Sequence, residues 1–582
     1  MRLCALALLA GEAAALLAGG GAPRRRPALL AGGSAPRRRP ALLAALDDGD
    51  GAALVRAYAQ RLEPCLPFEA LALGRDRILE TDWWTAFEAA STSPLRVSCR
   101  LTAGLRGDGA KTAAALFRQL ALDRGWQLEQ VPWDEDGFFV ASAAAADGMP
   151  RLGVEAAHVA GRFYVQEAGA MLPVSLLVSS LSDSNAAGAH VVVVDACAAP
   201  GGKTVQLVAR LRRKFKATVI ANEKSSSRLG ALAANLARCG AGPHVALSHA
   251  GAVELFDALP DESCDAVLCD APCSGDAQAR RELSAGGLAA HLRSSPSDEG
   301  VADLATVQAS IIQAAWRCVK PGGTLVYSTC SLLPVENEDV VRFFLKAHED
   351  ADCDEASDVV RLWPQMHDTA GFFAARISKR RLPDDNAFTA PTDDEQPLAG
   401  AALEAARKYF KEAWLVDESE TEASPFADAL FADGEASALR LTRRKAELWL
   451  VPTRVPSLQG LRYNRRGIKV LEALTLRGAA PKPTDAGLAT ALAAGHVRCT
   501  HEWALACGLA ARRRVACPAD QVADYLKGVD VEPLGAEALP EGQVLVVDER
   551  DSWVLGLAKK TRGSNLLKNQ LPKDVARRDL RV

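Results

Sequence analysis

The chain has 582 residues, 49% hydrophobic and 24% charged, the balance of an ordinary globular protein with room for about three domains plus linkers. No run of about 18 uncharged apolar residues occurs, so no membrane-spanning helix is expected. The formal net charge of −4 hides an uneven distribution. Fourteen cysteines in so long a chain do not read as a disulfide framework, and no C-x-x-C occurs. Reduced thiols and no metal are expected.

Residues 1–45 form a low-complexity tail in which APRRRPALLAGG at Ala22–Gly33 recurs nearly intact at Ala35–Ala44. Seven arginines against the single acid Glu12 suit an organelle transit peptide, a disordered tail or an artefact of gene prediction. Leu3–Ala10 also has a weak signal-peptide character, against which the thiol-rich body argues. Over residues 50–185, strand alternation at Leu95–Leu101 and Phe138–Ala144 and a helical pattern at Thr112–Arg124 predict a small α+β domain.

Residues 186–382 change character. Buried-strand runs at His190–Asp195, Ala217–Glu223, His244–His249, Ala266–Asp270 and Thr324–Thr329 alternate with segments of helical length. That pattern predicts an α/β domain with a parallel sheet and crossover helices. Residues 383–437 read as an acidic linker, with eight acids and no base between Glu412 and Glu435. The sign then reverses in a β-rich region, 438–582. Nine Arg/Lys against Glu447 lie between Arg440 and Lys469, and eight against Asp574 and Asp579 between Lys559 and Arg581. Trp449 and Tyr463 interleave with the cations, which favours a polyanion-binding face over a merely charged surface.

The chemistry starts at VVVVDACAAPGGKT, Val191 to Thr204, where a strand ends at Asp195 and a Gly/Pro turn leads into a helix. Such a turn places backbone N–H groups at the carboxyl edge of the sheet, where doubly wound folds bind nucleotides. It is a poor P-loop, because the first required glycine is Cys197. Glu223 closes the next strand, where a carboxylate suits two ribose hydroxyls better than it suits a plain helix cap. Without a pyrophosphate fingerprint, the pocket favours S-adenosylmethionine over a dinucleotide.

Cys273 and Cys330 each follow a strand end, in CDAPCSGDAQAR and VYSTCSLLPVENE. A thiol beside a methyl donor has a specific use on pyrimidines. C5 of cytosine becomes nucleophilic only after something adds at C6, and a thiolate adds well and leaves again. Asp270 would hydrogen-bond N3 and stabilise the adduct.

These motifs resemble those of the Nol/Nop/Sun family of RNA cytosine-C5 methyltransferases, and within it the tRNA-methylating branch. The resemblance covers roughly Leu95 to Lys379, chiefly CAAPGGKT (Cys197–Thr204), DAPCSGD (Asp270–Asp276) and YSTCSLLPVENE (Tyr327–Glu338), flanked by FYVQEAGAMLP (Phe163–Pro173) and GFFAARISK (Gly371–Lys379). It implies a Rossmann-like class I methyltransferase domain between an N-terminal α+β RNA-binding domain and a C-terminal PUA-like RNA-binding domain. It implies that Cys330 attacks C6 and that Cys273 helps eliminate the enzyme, a two-cysteine arrangement that points to RNA rather than DNA. Cys197, Ala198, Ala199, Pro200, Gly201, Gly202, Lys203, Glu223 and Asp270 would line the cofactor site. The implied partner is RNA, most of all tRNA, in the nucleus, or in a mitochondrion or chloroplast if residues 1–45 are a transit peptide. An rRNA methyltransferase of the same family and a catalytically silent RNA-binding scaffold are the alternatives. Three departures stand out: Ala250 after His249 where the family has Asp near the adenine, Ala277 in place of the last glycine of SGDG, and no tryptophan in Arg281–Gly300.

Overall fold

The computed structural model describes residues 51–62, 82–102, 105, 110–142, 149–280, 287–381, 396–416, 425–431, 437–475, 480–508, 511–533 and 535–572. The arginine-rich repeat, Cys4, Cys65, part of the 281–300 loop and the last basic residues lie outside them. The chain falls into two units, one drawn from residues 1–95, 271–313 and 328–375, the other from 96–270, 314–327 and 376–582.

In the second unit an antiparallel sheet comes first, with order β2-β3-β1-β4: β1 (Val97–Leu101), β2 (Trp126–Gln130), β3 (Gly137–Ser142) and β4 (Phe163–Val165). The helix Ala110–Arg124 packs on it through Phe117, whose ring lies 5.6 Å from Phe138 and 5.4 Å from Phe163. The α+β reading of this region agrees with these elements.

The following sheet is parallel where it matters. β5 (His190–Asp195), β6 (Lys216–Asn222), β7 (Val245–Ser248), β8 (Cys264–Asp270) and β9 (Val319–Thr329) lie in the order β9-β8-β5-β6-β7. β6 and β8 flank β5 and run parallel to it, and β7 runs parallel to β6. Parallel neighbours need crossovers, and the helices Gly202–Leu211, Ser226–Cys239 and Ala252–Ala258 supply the first three. The strands are near-continuous Val, Ile, Ala and Leu because both faces are covered. The order reverses between β5 and β8, so ligands belong at the carboxyl ends of these two strands. β9 begins five residues earlier than the run at Thr324 because Pro321-Gly322-Gly323 breaks the apolar pattern without breaking the strand. A side chain at Gly323 would stand 2.8 Å from the carbonyl of Asp265.

The first unit is mostly loops and helices that follow the strand ends. The helices Gly51–Leu62, Asp82–Thr92 and Gly287–Ser294 share a core of Tyr58, Trp84, Phe87, Leu288, Leu292, Leu332, Leu333 and Trp363. It also holds β10 (Ala351–Asp352), β11 (Val359–Leu362) and the start of β12 (Phe372–Lys379), with β11 antiparallel to β12.

The segment 383–437 is not a bare linker. The helices Gly400–Ala413 and Pro425–Phe431 bury Ala402, Ala406, Phe410 and Phe426 in one core with Trp414 and Trp503. The acidic composition concealed an apolar stripe at helical spacing, with Glu412 on the exposed face. Two four-stranded sheets follow where one small β-rich domain was expected. The first is β13 (Leu439–Arg444), β14 (Glu447–Pro452), β16 (Ile468–Ala473) and β17 (Val497–Cys499), with β15 (Arg465–Arg466) between them in sequence. The second is β18 (Arg514–Cys517), β19 (Gly542–Asp548), β20 (Val554–Lys560) and β21 (Lys568–Asn569). β15 pairs antiparallel with β7 and covers that edge of the parallel sheet. Arg162, just before β4, reaches the second sheet, pairing with Asp548 at 2.8 Å and with Asp551.

Candidate active site

The turn after β5 is held by backbone bonds before any side chain is considered. Ala196 N–H donates to Leu268 O at 2.9 Å and Ala198 N–H to Asn222 O at 2.8 Å, tying it to β8 and β6. Asn222 Nδ2 donates to Ala196 O at 3.1 Å and to Ala250 O at 3.0 Å, so one buried amide joins the turns after β5 and β7. Gly201 opens the helix at φ 109°, and a side chain there would meet Leu232 at 3.0 Å. Glycine is required on both counts. Ala198, Ala199 and Gly201 are buried, Cys197, Gly202 and Lys203 half-buried, and Pro200 exposed.

Three carboxylates stand at the strand ends of this unit. Asp195 is fully buried; its Oδ2 accepts from Thr204 Oγ1 at 2.7 Å, the Cys197 N–H also faces the carboxylate, and its Oδ1 has no hydrogen-bond partner among the described residues. Burial raises its pKa to about 7, opposed by the Thr204 hydrogen bond and Lys203 and reinforced by Asp270. Glu223 accepts from Ser225 N–H at 2.7 Å and lies 3.4 Å from the guanidinium of Arg228, which also donates to Ala199 O at 2.6 Å. Asp270 Oδ2 accepts from Lys203 Nζ at 2.7 Å. The arrangement suits a nucleoside bearing a cation: a free buried oxygen for an ammonium and a carboxylate for a ribose diol. Cys197 is no nucleophile. Burial, with Asp270, Asp195 and Glu223 around it, pushes its thiol up to about 12.

The other two cysteines belong to the first unit. Cys273 Sγ and Cys330 Sγ are 3.0 Å apart, both half-buried thiols. The loops that carry them are laced together. Asp276 accepts from Tyr58 OH at 2.5 Å and from Leu332 N–H at 3.2 Å. Thr329 Oγ1 donates to Asn337 Oδ1 at 2.6 Å, and Asn337 Nδ2 donates to Ser331 O at 2.9 Å, fixing the turn around Cys330. Ala277, a departure from the family pattern, is buried against Gly371, whose φ of 116° and missing side chain leave it room.

The site residues picked from the sequence thus gather in two groups, Cys197–Lys203 with Glu223 and Asp270, and Cys273 with Cys330. Asp195, Asn222, Arg228, Asp276 and Glu336 were not singled out. Each lies inside or beside a recognised motif, but nothing in residue type shows which way a side chain turns. Three of the nine cations of Arg440–Lys469 are paired within the protein. Arg443 pairs with Asp485, Arg465 with Glu502 and Lys469 with Glu447 and Glu472.

Residues 186–378 match the family model described as 16S rRNA methyltransferase RsmB/F, and residues 77–168 match the N-terminal domain of 16S rRNA methyltransferase RsmF. Ribosomal RNA small subunit methyltransferase F of Pectobacterium atrosepticum is 32% identical over 527 residues, covering 88% of this chain and 96% of that protein. The chain belongs to the RsmB/F family. The protein of the same description from Aeromonas hydrophila is 33% identical over 507 residues, covering 84% of this chain and 93% of that protein. A methyltransferase homologue from Pyrococcus horikoshii matches structurally with a TM-score of 0.40 and 25% identity, over 54% of this chain and 93% of that one. As a member of the RsmB/F family the chain is an S-adenosylmethionine-dependent RNA methyltransferase on a Rossmann-like class I fold. The nuclear location implied by the resemblance is overturned, because these relatives are bacterial proteins and bacteria have no nucleus.

Proposed function

We propose that this enzyme methylates C5 of a cytosine in small-subunit ribosomal RNA through a covalent cysteine–C6 adduct. The observation that carries the chemistry is the pair of thiols 3.0 Å apart. The curated relatives' names favour ribosomal RNA over the tRNA first expected.

S-adenosylmethionine, when bound, supplies the electrophilic methyl group that C5 takes up. Cys197–Lys203 and Glu223 would hold it, with the free Oδ1 of Asp195 accepting from its α-ammonium. The Cys330 thiolate forms the S–C6 bond, and the C5=C6 electron pair moves to C5. A proton from the Lys203–Asp270 pair passes to N3 as the S–C6 bond forms, Asp270 accepts the resulting N3–H, and the proton returns to the pair when Cys330 leaves. The Cys273 thiolate then takes the proton from methylated C5 and becomes the thiol; the double bond re-forms, the S–C6 bond breaks and Cys330 leaves as thiolate. A base engaged this way must leave its stack, so the target is a flipped or loop cytosine.

The test is methyl transfer from tritiated S-adenosylmethionine to transcribed 16S rRNA, small ribosomal subunits and tRNA, with bisulfite sequencing of the product. The expected result is one or a few C5-methylated cytosines in rRNA or the subunit and none in tRNA. Methylation of tRNA alone would replace this reading with the tRNA one, and no transfer to any acceptor would favour a silent scaffold.

A further inference from the structure

Two fully buried side chains grip the tripeptide that carries Cys273. Glu336 Oε1 accepts from Ser274 N–H at 2.9 Å and Oε2 from Ser274 Oγ at 2.5 Å. Gln308 Nε2 donates to Pro272 O at 2.9 Å and to Glu336 Oε1 at 3.0 Å. Pro272 and Ser274 are therefore held on either side of Cys273 by one connected amide–carboxylate pair. Glu336 sits in the short helix Pro334–Glu336, six residues after Cys330, so the clamp ties the Cys273 loop directly to the Cys330 loop.

We infer that Glu336 and Gln308 are positioning residues that set the Cys273 thiol against Cys330 and thereby govern release of the methylated RNA. Neither touches the reacting atoms. Without the clamp, Pro272–Ser274 loses three hydrogen bonds and the thiol it carries samples other positions, while Cys330 keeps its own support from Thr329 and Asn337. A loose Cys273 cannot hold the geometry for taking the C5 proton, but attack by Cys330 is untouched. The release role rests on the function proposed above; the geometric role does not.

Two measurements separate them, made on Glu336→Gln and on Gln308→Met, which deletes the side-chain amide at similar volume. The first is the rate at which diamide joins Cys273 to Cys330 in the folded full-length protein, read by peptide mapping. Diamide takes two electrons and two protons from the thiols as the Sγ–Sγ bond forms and becomes the hydrazine. The second is formation and decay of the protein–RNA adduct on denaturing gels, with Cys273→Ala as reference. We expect crosslinking to slow at least fivefold in both variants. Adduct decay should slow at least fivefold as well, with its formation changed less than twofold. Crosslinking at the wild-type rate in whichever variants fold would overturn the clamp. Slowed crosslinking with formation and decay reduced alike would overturn its role in release. No adduct even with Cys273→Ala would instead remove the reading on which that role rests.

Discussion

Lys203 Nζ lies 2.7 Å from Asp270 Oδ2, with only 14% and 28% of the two side chains exposed. Lys203 opens the helix after β5 and Asp270 ends β8, so the pair closes over the two strands between which the sheet order reverses. Each charge is costly there without the other, because both are largely removed from water. They act as one unit, the Lys203 ammonium fixing the Asp270 carboxyl in place. Lys203→Met and Asp270→Asn should each lower single-turnover methyl transfer about a hundredfold, and the double variant should lose little more than either. Multiplying losses would show that the two residues act separately.

Asp195 predicts a pH dependence of stability. Its folded carboxyl titrates near 7 against an ordinary value of 3.8, raised chiefly by burial. Between those values the folded protein keeps a proton that the unfolded chain has lost. Stability of the cofactor-free enzyme therefore falls as pH rises through this window and levels off above it, by roughly 4 kcal/mol at most. Asp195→Asn keeps an acceptor for Thr204 and removes the titration. Its melting temperature should gain on the wild type steadily from pH 5 to 7; a constant difference would contradict the account.

Thiol reactivity should divide sharply. Cys197 is held neutral, pushed up to about 12, and Cys269 is fully buried and raised well above the ordinary thiol value. Iodoacetamide at pH 8 should label Cys273 and Cys330 at least tenfold faster than Cys197, read by peptide mapping of the native protein. Faster labelling of Cys197 would put the nucleophile in the wrong place.

Arg162 predicts a purely structural loss. It pairs with Asp548 and Asp551 and lies 5.4 Å from the Trp553 ring, whose Nε1 donates to Ala160 O at 3.0 Å. Arg162→Ala would leave Asp551 buried without its cation. Urea denaturation should show a loss of about 2–4 kcal/mol. A loss under about 1 kcal/mol would mean that Arg550 alone answers these charges.

How much of this was legible in the sequence differs by element. The parallel sheet was readable because buried strands announce themselves as apolar runs; His190–Asp195 matches β5 residue for residue. The helices Gly400–Ala413 and Pro425–Phe431 were hidden because charge count dominated a stripe of alanines and aromatics. Cys273 and Cys330 stood out because thiols at strand ends have a definite chemistry. Glu336 and Gln308 did not, since a buried glutamate and a surface one look alike until a fold supplies partners. For Arg443, Arg465 and Lys469 a local charge count misses the pairing, because their acidic partners Asp485, Glu502 and Glu472 lie farther along the chain.

Trapping the adduct separates the roles of the two thiols. Wild type, Cys330→Ala and Cys273→Ala would be incubated with labelled small-subunit rRNA and S-adenosylmethionine and run on a denaturing gel. A protein–RNA band should accumulate with Cys273→Ala and be absent with Cys330→Ala. A band that persists with Cys330→Ala and vanishes with Cys273→Ala would contradict it, making Cys273 the attacking thiol.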